Sequence, residues 1–350
     1  MKHLLICILA LLPVALNAAE VSSPDGKYVV KVDGMTYSVL YNNKVIIEPS
    51  QLGLDIDNRL FESALAVPRG IYENWCSDLV VKGEERATAD TTWTPLYGEN
   101  ARIRDHYNQL VLHYEKGSDG QGTVSEGYDK RKYYAMDLIV RAYDEGIAFR
   151  YHFPETANSL FLHIRGERTQ FAMPQGTMAW YEEWAQGPYE LRSLSEKVKV
   201  NSEEFATAAS HTWYESERPL LLQLADGTYV ALLEAAMKDY TRGKFRLAKD
   251  HVLQVAMYDC ADIISPYDTP WRVVMAGERA VDLINHKDLI LNLAPEAPPT
   301  APEGASIVVP AKAIVPPSGG ERGAMWQGVA TPWNTSLRFS SRAPNASPMA

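Results

Sequence analysis

The chain has 350 residues and a formal net charge of −10 at pH 7, with 22% charged and 46% hydrophobic residues. This length allows one large domain or two modest ones, with a substantial core. Because phosphate binding needs clustered Lys and Arg, the acidic balance argues against a nucleic-acid partner. Composition therefore indicates an acidic globular protein and identifies no chemistry.

The N-terminal segment has the pattern of a secretory signal peptide. A basic flank at Lys2 precedes an apolar run over residues 4–16, and small residues follow at Ala18 and Ala19. The run is too short to span a bilayer comfortably as a permanent anchor. We therefore predict a signal peptide over residues 1–19, a periplasmic or secreted location and no membrane partner.

The cysteines and local motifs point to no metal or phosphate chemistry. After the first 19 residues the only cysteines are Cys76 and Cys260. An oxidising compartment permits a disulfide between them, but two small buried side chains are the interpretation we favour. The sequence contains no CxxC, HExxH, EF-hand or Walker-type pattern.

Turn signals between short alternating runs predict a series of β-hairpins. Asparagine and glycine tolerate the positive φ that tight hairpin turns demand. The clearest turns are Asn42-Asn43, Asp144-Glu145-Gly146 and Asp226-Gly227. Glu48-Pro49-Ser50 is predicted to break the strand pairing, which 52–56 resumes. Many short strands with almost no helical period predict an all-β fold, a large antiparallel β sandwich over residues 20–295.

The last part of the chain changes character. Residues 296–350 are rich in Pro, Ala, Gly and Ser and show neither a strand nor a helical period. Proline removes backbone donors and restricts its neighbours, so this segment is predicted to be a linker, a truncated end or a disordered, irregular tail.

A polar, aromatic stretch lies in the first half of the chain, just before a predicted strand. Burying its charged groups is costly unless each is paired and hydrogen-bonded. One interpretation is a satisfied polar corner that locks one edge of the sandwich in register. The other is a surface that contacts a carbohydrate or a second domain. Its candidate residues are Trp93, Tyr97, Glu99, Arg104 and His106.

Several sequence blocks, in this order and spacing, resemble one known family. They are Ser23-Pro24-Asp25-Gly26, Ile47-Glu48-Pro49-Ser50, Trp93-Thr94-Pro95, His106-Tyr107-Asn108, Asp144-Glu145-Gly146-Ile147, Glu217-Arg218-Pro219, Thr269-Pro270-Trp271-Arg272 and Leu289-Ile290-Leu291-Asn292. Together they resemble the N-terminal domain of glycoside hydrolase family 97, which includes starch-utilisation α-glucosidases and α-galactosidases. The resemblance covers about residues 21–295.

The resemblance implies a β super-sandwich of the galactose-mutarotase type, followed in the family by a catalytic (β/α)8 barrel and a small β domain. The likeness stops after Pro310-Ala311-Lys312, and no barrel follows. Glycoside hydrolysis needs two carboxylates about 5–9.5 Å apart, and in the family these belong to the barrel. We therefore expect no hydrolysis by this polypeptide alone, with an α-linked carbohydrate or a catalytic barrel as its partner.

The resemblance also implies a contribution to a calcium site. In the family a carboxylate from this domain helps to ligate calcium beside the catalytic acid, and calcium prefers hard oxygen ligands. Counting back from Ser195-Glu196 without gaps places Gln186 at that position. A short loop shift would place Glu190 or Glu183 there instead, and Glu190 is the preferred candidate. An exposed acidic loop without an ion is the alternative.

Two other functions compete with this interpretation. A stand-alone carbohydrate-binding protein would stack sugars on exposed rings, with Tyr181, Trp184, Tyr189 and Trp213 as candidates. A mutarotase-like isomerase would need a carboxylate and a histidine across a pocket. Its candidates are His106, His152 and His211 with Glu99, Glu215 and Glu217.

Arg272 also allows two interpretations. It could clamp a sugar hydroxyl, or it could stack on Trp271 or pair with a buried acid. We favour the structural role. We interpret the neighbouring Glu217-Arg218-Pro219 in the same way, as an ion pair at the entry of a strand.

Overall fold

The computed structural model describes residues 18–56, 75–77, 79–95, 99–116, 134–155, 161–183, 187–194 and 215–293. The chain divides into two compact units. All strands and helices given below belong to the first unit, 1–93 with 102–295. The described residues of the second unit are 94–95 and 99–101, within the connection that joins two strands. The signal peptide and the tail predicted over 296–350 lie outside the described residues, apart from Ala18 and Ala19.

The described chain consists almost entirely of strands. In chain order they are β1 (Ala19–Ser22), β2 (Tyr28–Asp33), β3 (Thr36–Tyr41), β4 (Lys44–Gln51), β5 (Leu54–Ile56), β6 (Leu79–Trp93), β7 (Ile103–Lys116), β8 (Tyr134–Tyr143), β9 (Ile147–Phe153), β10 (Phe161–Glu167), β11 (Gln170–Ala172), β12 (Met178–Tyr181), β13 (Glu190–Ser193), β14 (Glu215–Ser216), β15 (Leu220–Gln223), β16 (Tyr229–Ala235), β17 (Gly243–Lys249), β18 (Val252–Met257), β19 (Ala261–Ile264), β20 (Tyr267–Asp268) and β21 (Trp271–Gly277). Two short helices follow, α1 (Ala280–Asn285) and α2 (Asp288–Asn292).

These strands form three sheets, and every described strand pair is antiparallel. An eight-stranded sheet has the order β1-β2-β3-β4-β11-β18-β17-β14, and a small sheet has the order β19-β10-β5. The largest sheet has the order β13-β12-β15-β16-β21-β9-β8-β7-β6, with β20 beside β9. The prediction of an all-β antiparallel sandwich is confirmed.

The core lies between the two large sheets because their strands alternate apolar and polar residues. On β2, Tyr28, Val30 and Val32 are buried while the residues between them face outward. The Tyr28 hydroxyl crosses the core, donating to the Ala276 carbonyl at 3.0 Å and accepting from the Ala276 N–H at 2.8 Å. Period-two burial on both sheets therefore produces one continuous apolar layer.

The predicted hairpin turns are confirmed. Asn42 and Asn43 take φ values of 51° and 62°, which asparagine tolerates in a tight turn. The turn around Asp144 joins β8 to β9, and the turn at Asp226-Gly227 joins β15 to β16. At Glu48-Pro49-Ser50 the predicted break in pairing is confirmed for Glu48 and Pro49, where the register against β3 shifts. The strand itself continues, because β4 extends to Gln51 and Ser50 again pairs with Tyr37.

The outer face of the largest sheet carries a second, smaller apolar cluster. Leu283 of α1, Leu289 of α2 and the following Leu293 pack there with Trp271 and Met275. Both helices are too short for a periodic pattern to reveal them, and the sequence did not predict them. Of the cysteines, Cys76 is buried and Cys260 is exposed, and neither forms a disulfide. The expectation that both are buried is therefore wrong for Cys260.

Candidate functional site

The hairpin of β12 and β13 carries the preferred calcium-ligand candidate. Tyr181 pairs with Glu190 across the two strands, and Trp180 pairs with Leu191. The Glu190 carboxylate is 44% exposed and accepts a hydrogen bond of 2.8 Å from Nε of Arg192. An exposed carboxylate on a strand edge can turn towards a cation, but here it is held by a neighbouring guanidinium.

The first residues after β12 in this hairpin, Glu182 and Glu183, are anchored by contacts to other elements. The Glu217 N–H donates to the Glu182 carbonyl at 2.7 Å, and Lys244 Nζ donates to the Glu183 carbonyl at 2.7 Å. The Tyr189 ring is 60% exposed. Burial and a hydrogen bond with Glu182 raise the pKa of the Tyr189 hydroxyl. The hairpin is thus attached to β17 and to the β14–β15 connection.

Next to the hairpin lies a chain of buried and partly buried charges that we call the buried ion network: Glu167, Arg272, Glu234, Arg218, Glu217 and Lys244. At its centre, Arg272 donates to Glu167 through Nε at 2.9 Å and to Glu234 through Nη1 at 2.7 Å. All three side chains are at most 5% exposed. Burial alone would lower the pKa of the Arg272 guanidinium, but the two carboxylates more than offset this and raise it.

The network continues from the core towards the surface. Arg218 bonds Glu234 and also lies 3.1 Å from Glu217, and the Tyr258 hydroxyl donates to Glu217. Lys244 lies 3.6 Å from Glu217 and reaches the hairpin. The interpretation of Arg272 as paired with buried acids is confirmed, and so is the Glu217–Arg218 ion pair.

A second polar region, which we call the β7 polar edge, consists of Arg104, His106 and His113 with their partners. Arg104 makes two hydrogen bonds to Asp90, at 2.7 and 2.9 Å. The Nδ1 atoms of His106 and His113 lie 2.8 Å from carboxylate oxygens of Asp144 and Asp137, respectively. Asp144 also accepts from the Asp25 N–H of the other sheet at 2.9 Å, so this edge connects the two sheets. Paired charges of this kind match the interpretation of a polar corner.

Trp93 joins the β7 polar edge to the C-terminal helices. Its Nε1 donates to the Asn292 side chain at 2.8 Å, and Asn292 Nδ2 in turn donates to the Arg104 carbonyl at 2.8 Å. Asp105 differs from its neighbours because its Oδ1 is buried without a hydrogen-bond partner, and burial raises the pKa of its carboxyl. Glu99 is exposed in the connection from β6 to β7, and Tyr97 lies outside the described residues.

The structure does not bring all the candidate residues together. Glu190 and Tyr189 belong to the β13 end of the largest sheet, whereas Trp93, Arg104 and His106 lie on β6 and β7 at the other end. A single site therefore cannot include both sets.

The geometry does not pair the candidates for an isomerase. His106 and His152 each contact an aspartate, Asp144 and Asp268, at 2.8 Å. The glutamates chosen as their partners lie elsewhere, with Glu215 bonded to Arg246 and Glu217 within the buried ion network. His211 lies outside the described residues.

The proposed sugar-stacking rings also differ in exposure. Tyr181 is only 6% exposed and belongs to the core, which removes it from the candidates. Tyr189 is exposed, while Trp184 and Trp213 lie outside the described residues.

Within the described part of the chain, no group of three or more His, Cys, Asp or Glu side chains is arranged to hold a metal ion. No helix among the described residues is long and apolar enough to cross a membrane. Glu190 supplies one oxygen donor of the kind that calcium prefers, and Glu183 on the same hairpin is the alternative.

The sequence did not identify several residues that shape the hairpin region. The acids that pair with Arg272, Glu167 and Glu234, lie 105 and 38 positions away in the chain. No local pattern indicates such distant partners. Lys244 and Tyr258 were missed for the same reason. Trp180 did carry a signal, because the alternation along Met178–Tyr181 places it on the face opposite Tyr181.

Together, the sheets define a large antiparallel β-sandwich domain. Its candidate residues lie at opposite ends of the largest sheet, and no metal-binding cluster occurs among the described residues. The sequence model of the family described as glycosyl-hydrolase 97 N-terminal matches residues 21–295. The chain belongs to this family.

Known relatives match most of this chain. A retaining alpha-galactosidase of Bacteroides thetaiotaomicron is 22% identical over 318 residues, which cover 81% of this chain and 42% of the relative. Solved structures of a glycoside hydrolase family 97 enzyme from Pseudoalteromonas sp., one with panose and one with acarbose, match with a TM-score of 0.62 and 22% identity. Each match covers 79% of this chain and 38% of that enzyme.

A beta-arabinopyranosidase structure also matches, with a TM-score of 0.56, 19% identity and coverage of 74% of this chain and 40% of the enzyme. The chain thus spans about two fifths of the length of the relatives it matches. At these identities the structural matches establish the fold.

Proposed function

We propose that this chain is the carbohydrate-contacting scaffold of a family 97 α-glycosidase, and that its partner is an α-linked carbohydrate or a catalytic barrel. The observation that carries the proposal is the family match over residues 21–295. Support comes from the relatives, which include a retaining alpha-galactosidase and enzyme structures with panose and acarbose. The β12–β13 hairpin, anchored on the buried ion network, is the rigid element that would meet the partner.

Retention on immobilised starch and galactan tests the sugar contact. The purified chain is expected to elute later than a non-binding protein of similar size and charge, and soluble panose is expected to abolish the delay. If the chain elutes with the void marker on both resins, the sugar contact is excluded and only a structural role of the domain is left.

In the same proposal, Glu190 provides one calcium ligand to a site that another domain completes. Calcium takes six to eight oxygen ligands, so one carboxylate held by Arg192 is not a site by itself. Calorimetric titration of the chain with calcium is expected to give a Kd above about 1 mM. Tight calcium binding by the chain alone would contradict this assignment, and Glu190→Gln and Glu183→Gln would show whether either carboxylate is a ligand.

We further propose export of the chain, based on the basic and apolar pattern of residues 1–19. N-terminal sequencing of protein from a periplasmic fraction is expected to begin at Ala19 or Glu20. A sequence that begins at Met1 in that fraction would contradict cleavage.

A further inference from the structure

The largest sheet ends in a long exposed edge strand. Strand β6 has 15 residues, and among the described residues its only strand partner is β7. The other strands at the ends of the two large sheets, β1, β13 and β14, have only two to four residues. One long side of β6 therefore presents backbone N–H and C=O groups that no described strand pairs.

The middle of β6 is regular and open to solvent. Its one register shift against β7 lies between Val81 and Gly83, and from Glu84 to Trp93 the pairing is continuous. Every residue from Glu84 to Thr88 is exposed, and no residue of the strand is buried. The strand contains no proline, so each of its residues has a backbone N–H. This stretch is therefore a template for one more strand.

The charges along the stretch favour a second copy of β6 as that additional strand. In an antiparallel pair of β6 strands related by a two-fold axis at Thr88, Arg86 of each copy lies opposite Asp90 of the other. Ala87 lies opposite Ala89, so small side chains meet near the axis. The two glutamates of the stretch lie opposite threonines. The strand is thus complementary to itself, with two ion pairs and no like charges opposite each other.

Neighbouring registers are less favourable. Because side chains that pair across two strands share one face of the sheet, the two-fold axis must pass through a residue position. An axis at Ala87 would place Glu84 opposite Asp90, and an axis at Arg86 would place two arginines opposite each other. An axis at Ala89 would bring no opposite charges together. Like charges directly opposite each other destabilise a strand pair, so the sequence favours the axis at Thr88.

The two ions of each expected pair are accessible. Arg86 is 52% exposed, and it donates through Nε to Glu84 at 2.6 Å and through Nη1 to the Glu20 carbonyl at 2.7 Å. Its Nη2 is left for a further acceptor. Asp90 is 57% exposed and accepts two hydrogen bonds from Arg104. Since a carboxylate has about four lone-pair sites, Asp90 can accept from a second guanidinium and keep Arg104.

We propose that two copies of this chain associate through β6, as a two-fold symmetric antiparallel strand pair centred on Thr88. The pair extends the largest sheet across both copies, and Arg86 and Asp90 determine its register. This association is independent of the proposed sugar contact, because the β12–β13 hairpin lies at the opposite end of the same sheet.

Sedimentation of the purified chain over a range of concentrations tests the proposal. The wild type is expected to reach twice the mass of one chain. Arg86→Glu places a glutamate opposite Asp90, and Asp90→Arg places an arginine opposite Arg86. Each variant alone is therefore expected to associate about tenfold more weakly than wild type.

An equimolar mixture of the two variants gives the sharpest result. In the mixed pair both positions again bring a glutamate or aspartate opposite an arginine, so a heterodimer is expected to form with about the affinity of wild type. Arg246→Glu makes the same change of charge on an exposed residue of β17 in the other large sheet. It is the matched control, and its association is expected to equal that of wild type.

Each outcome decides the proposal. A wild-type chain that stays monomeric at every concentration overturns it, and so does a dimer that neither variant weakens. A mixture that associates no better than the single variants overturns the register at Thr88. Circular dichroism verifies folding, and because the mixture measures association regained, an unfolded variant cannot produce the expected result.

Discussion

The buried ion network and the β7 polar edge are built from the same residue types but differ in their surroundings. Arg272 is 4% exposed and its two carboxylates lie in the core, whereas Arg104 and Asp90 are each more than half exposed. Water screens the outer pairs, while the inner ones have only each other. The hydrogen-bond distances are similar in both regions. We therefore expect the difference in burial to determine which ion pairs contribute most to the free energy of unfolding.

The largest expected effect comes from breaking the network at its centre. Arg272→Met leaves Glu167 buried without its cationic partner and Glu234 with Arg218 alone, so the free energy of unfolding should fall by about 3–5 kcal/mol. Urea denaturation measures this change. Arg272→Lys keeps the charge but loses the two-pronged geometry and should fall between wild type and Arg272→Met. If the free energy of unfolding of Arg272→Met falls by less than about 1 kcal/mol, the network contributes no more stability than an exposed ion pair.

An intermediate effect is expected where the β7 polar edge meets the helices. Trp93→Phe removes the half-buried hydrogen bond to Asn292 and keeps most of the ring. The free energy of unfolding should decrease by about 0.5–1.5 kcal/mol. Asn292→Ala removes both bonds of the same side chain and should cost at least as much in the same denaturation experiment. A fully stable Trp93→Phe protein would show that this link does not hold the helices.

A smaller effect on the free energy of unfolding is expected to depend on pH, through His113 of the β7 polar edge. The hydrogen bond that the His113 imidazole donates to the Asp137 carboxylate is the main cause that raises the pKa of His113. Because its folded pKa lies above the unfolded value, His113 stabilises the fold fully below the unfolded pKa, and this contribution is lost as pH rises through the folded pKa.

The urea midpoint of His113→Gln should therefore differ from that of wild type more at about pH 5.5 than at about pH 8.5. If the urea midpoint of His113→Gln lies equally far below that of wild type at both pH values, the titration of His113 is excluded as a source of stability.

The smallest effect is expected for the most exposed pair. Arg104→Ala removes both bonds to Asp90, but the pair is open to solvent. Its denaturation midpoint should be close to that of wild type, and raising the salt concentration should remove any remaining difference. A large, salt-independent loss would place Arg104 with Arg272 and end the contrast between the two regions.

The sequence predicted what depends on neighbouring residues. Asn42-Asn43 encodes its own turn because both residues accept positive φ, and alternation in Tyr28–Asp33 encodes the buried face of its strand. Arg272 was correctly interpreted as paired with buried acids, but its partners are set by which strands meet. The two short helices carry too few residues for a periodic signal.

The candidate site was less predictable because it depends on which ends of the sheet lie together. Glu190 and His106 were both candidate site residues, yet they lie at opposite ends of a sheet whose strand order no local sequence pattern indicates. The stacking candidates show the same limit. Tyr181 and Trp180 are neighbours in sequence, and only the register against β13 and β15 places Tyr181 in the core and Trp180 on the outer face.

The central claim is that this chain contributes structure and sugar contact rather than bond cleavage. The most direct test is the release of nitrophenol from nitrophenyl α-glucoside and nitrophenyl α-galactoside by the purified chain in calcium-containing buffer. Nitrophenol is expected to be released at the same rate as in buffer alone. Saturable turnover that scales with the concentration of the chain would contradict it.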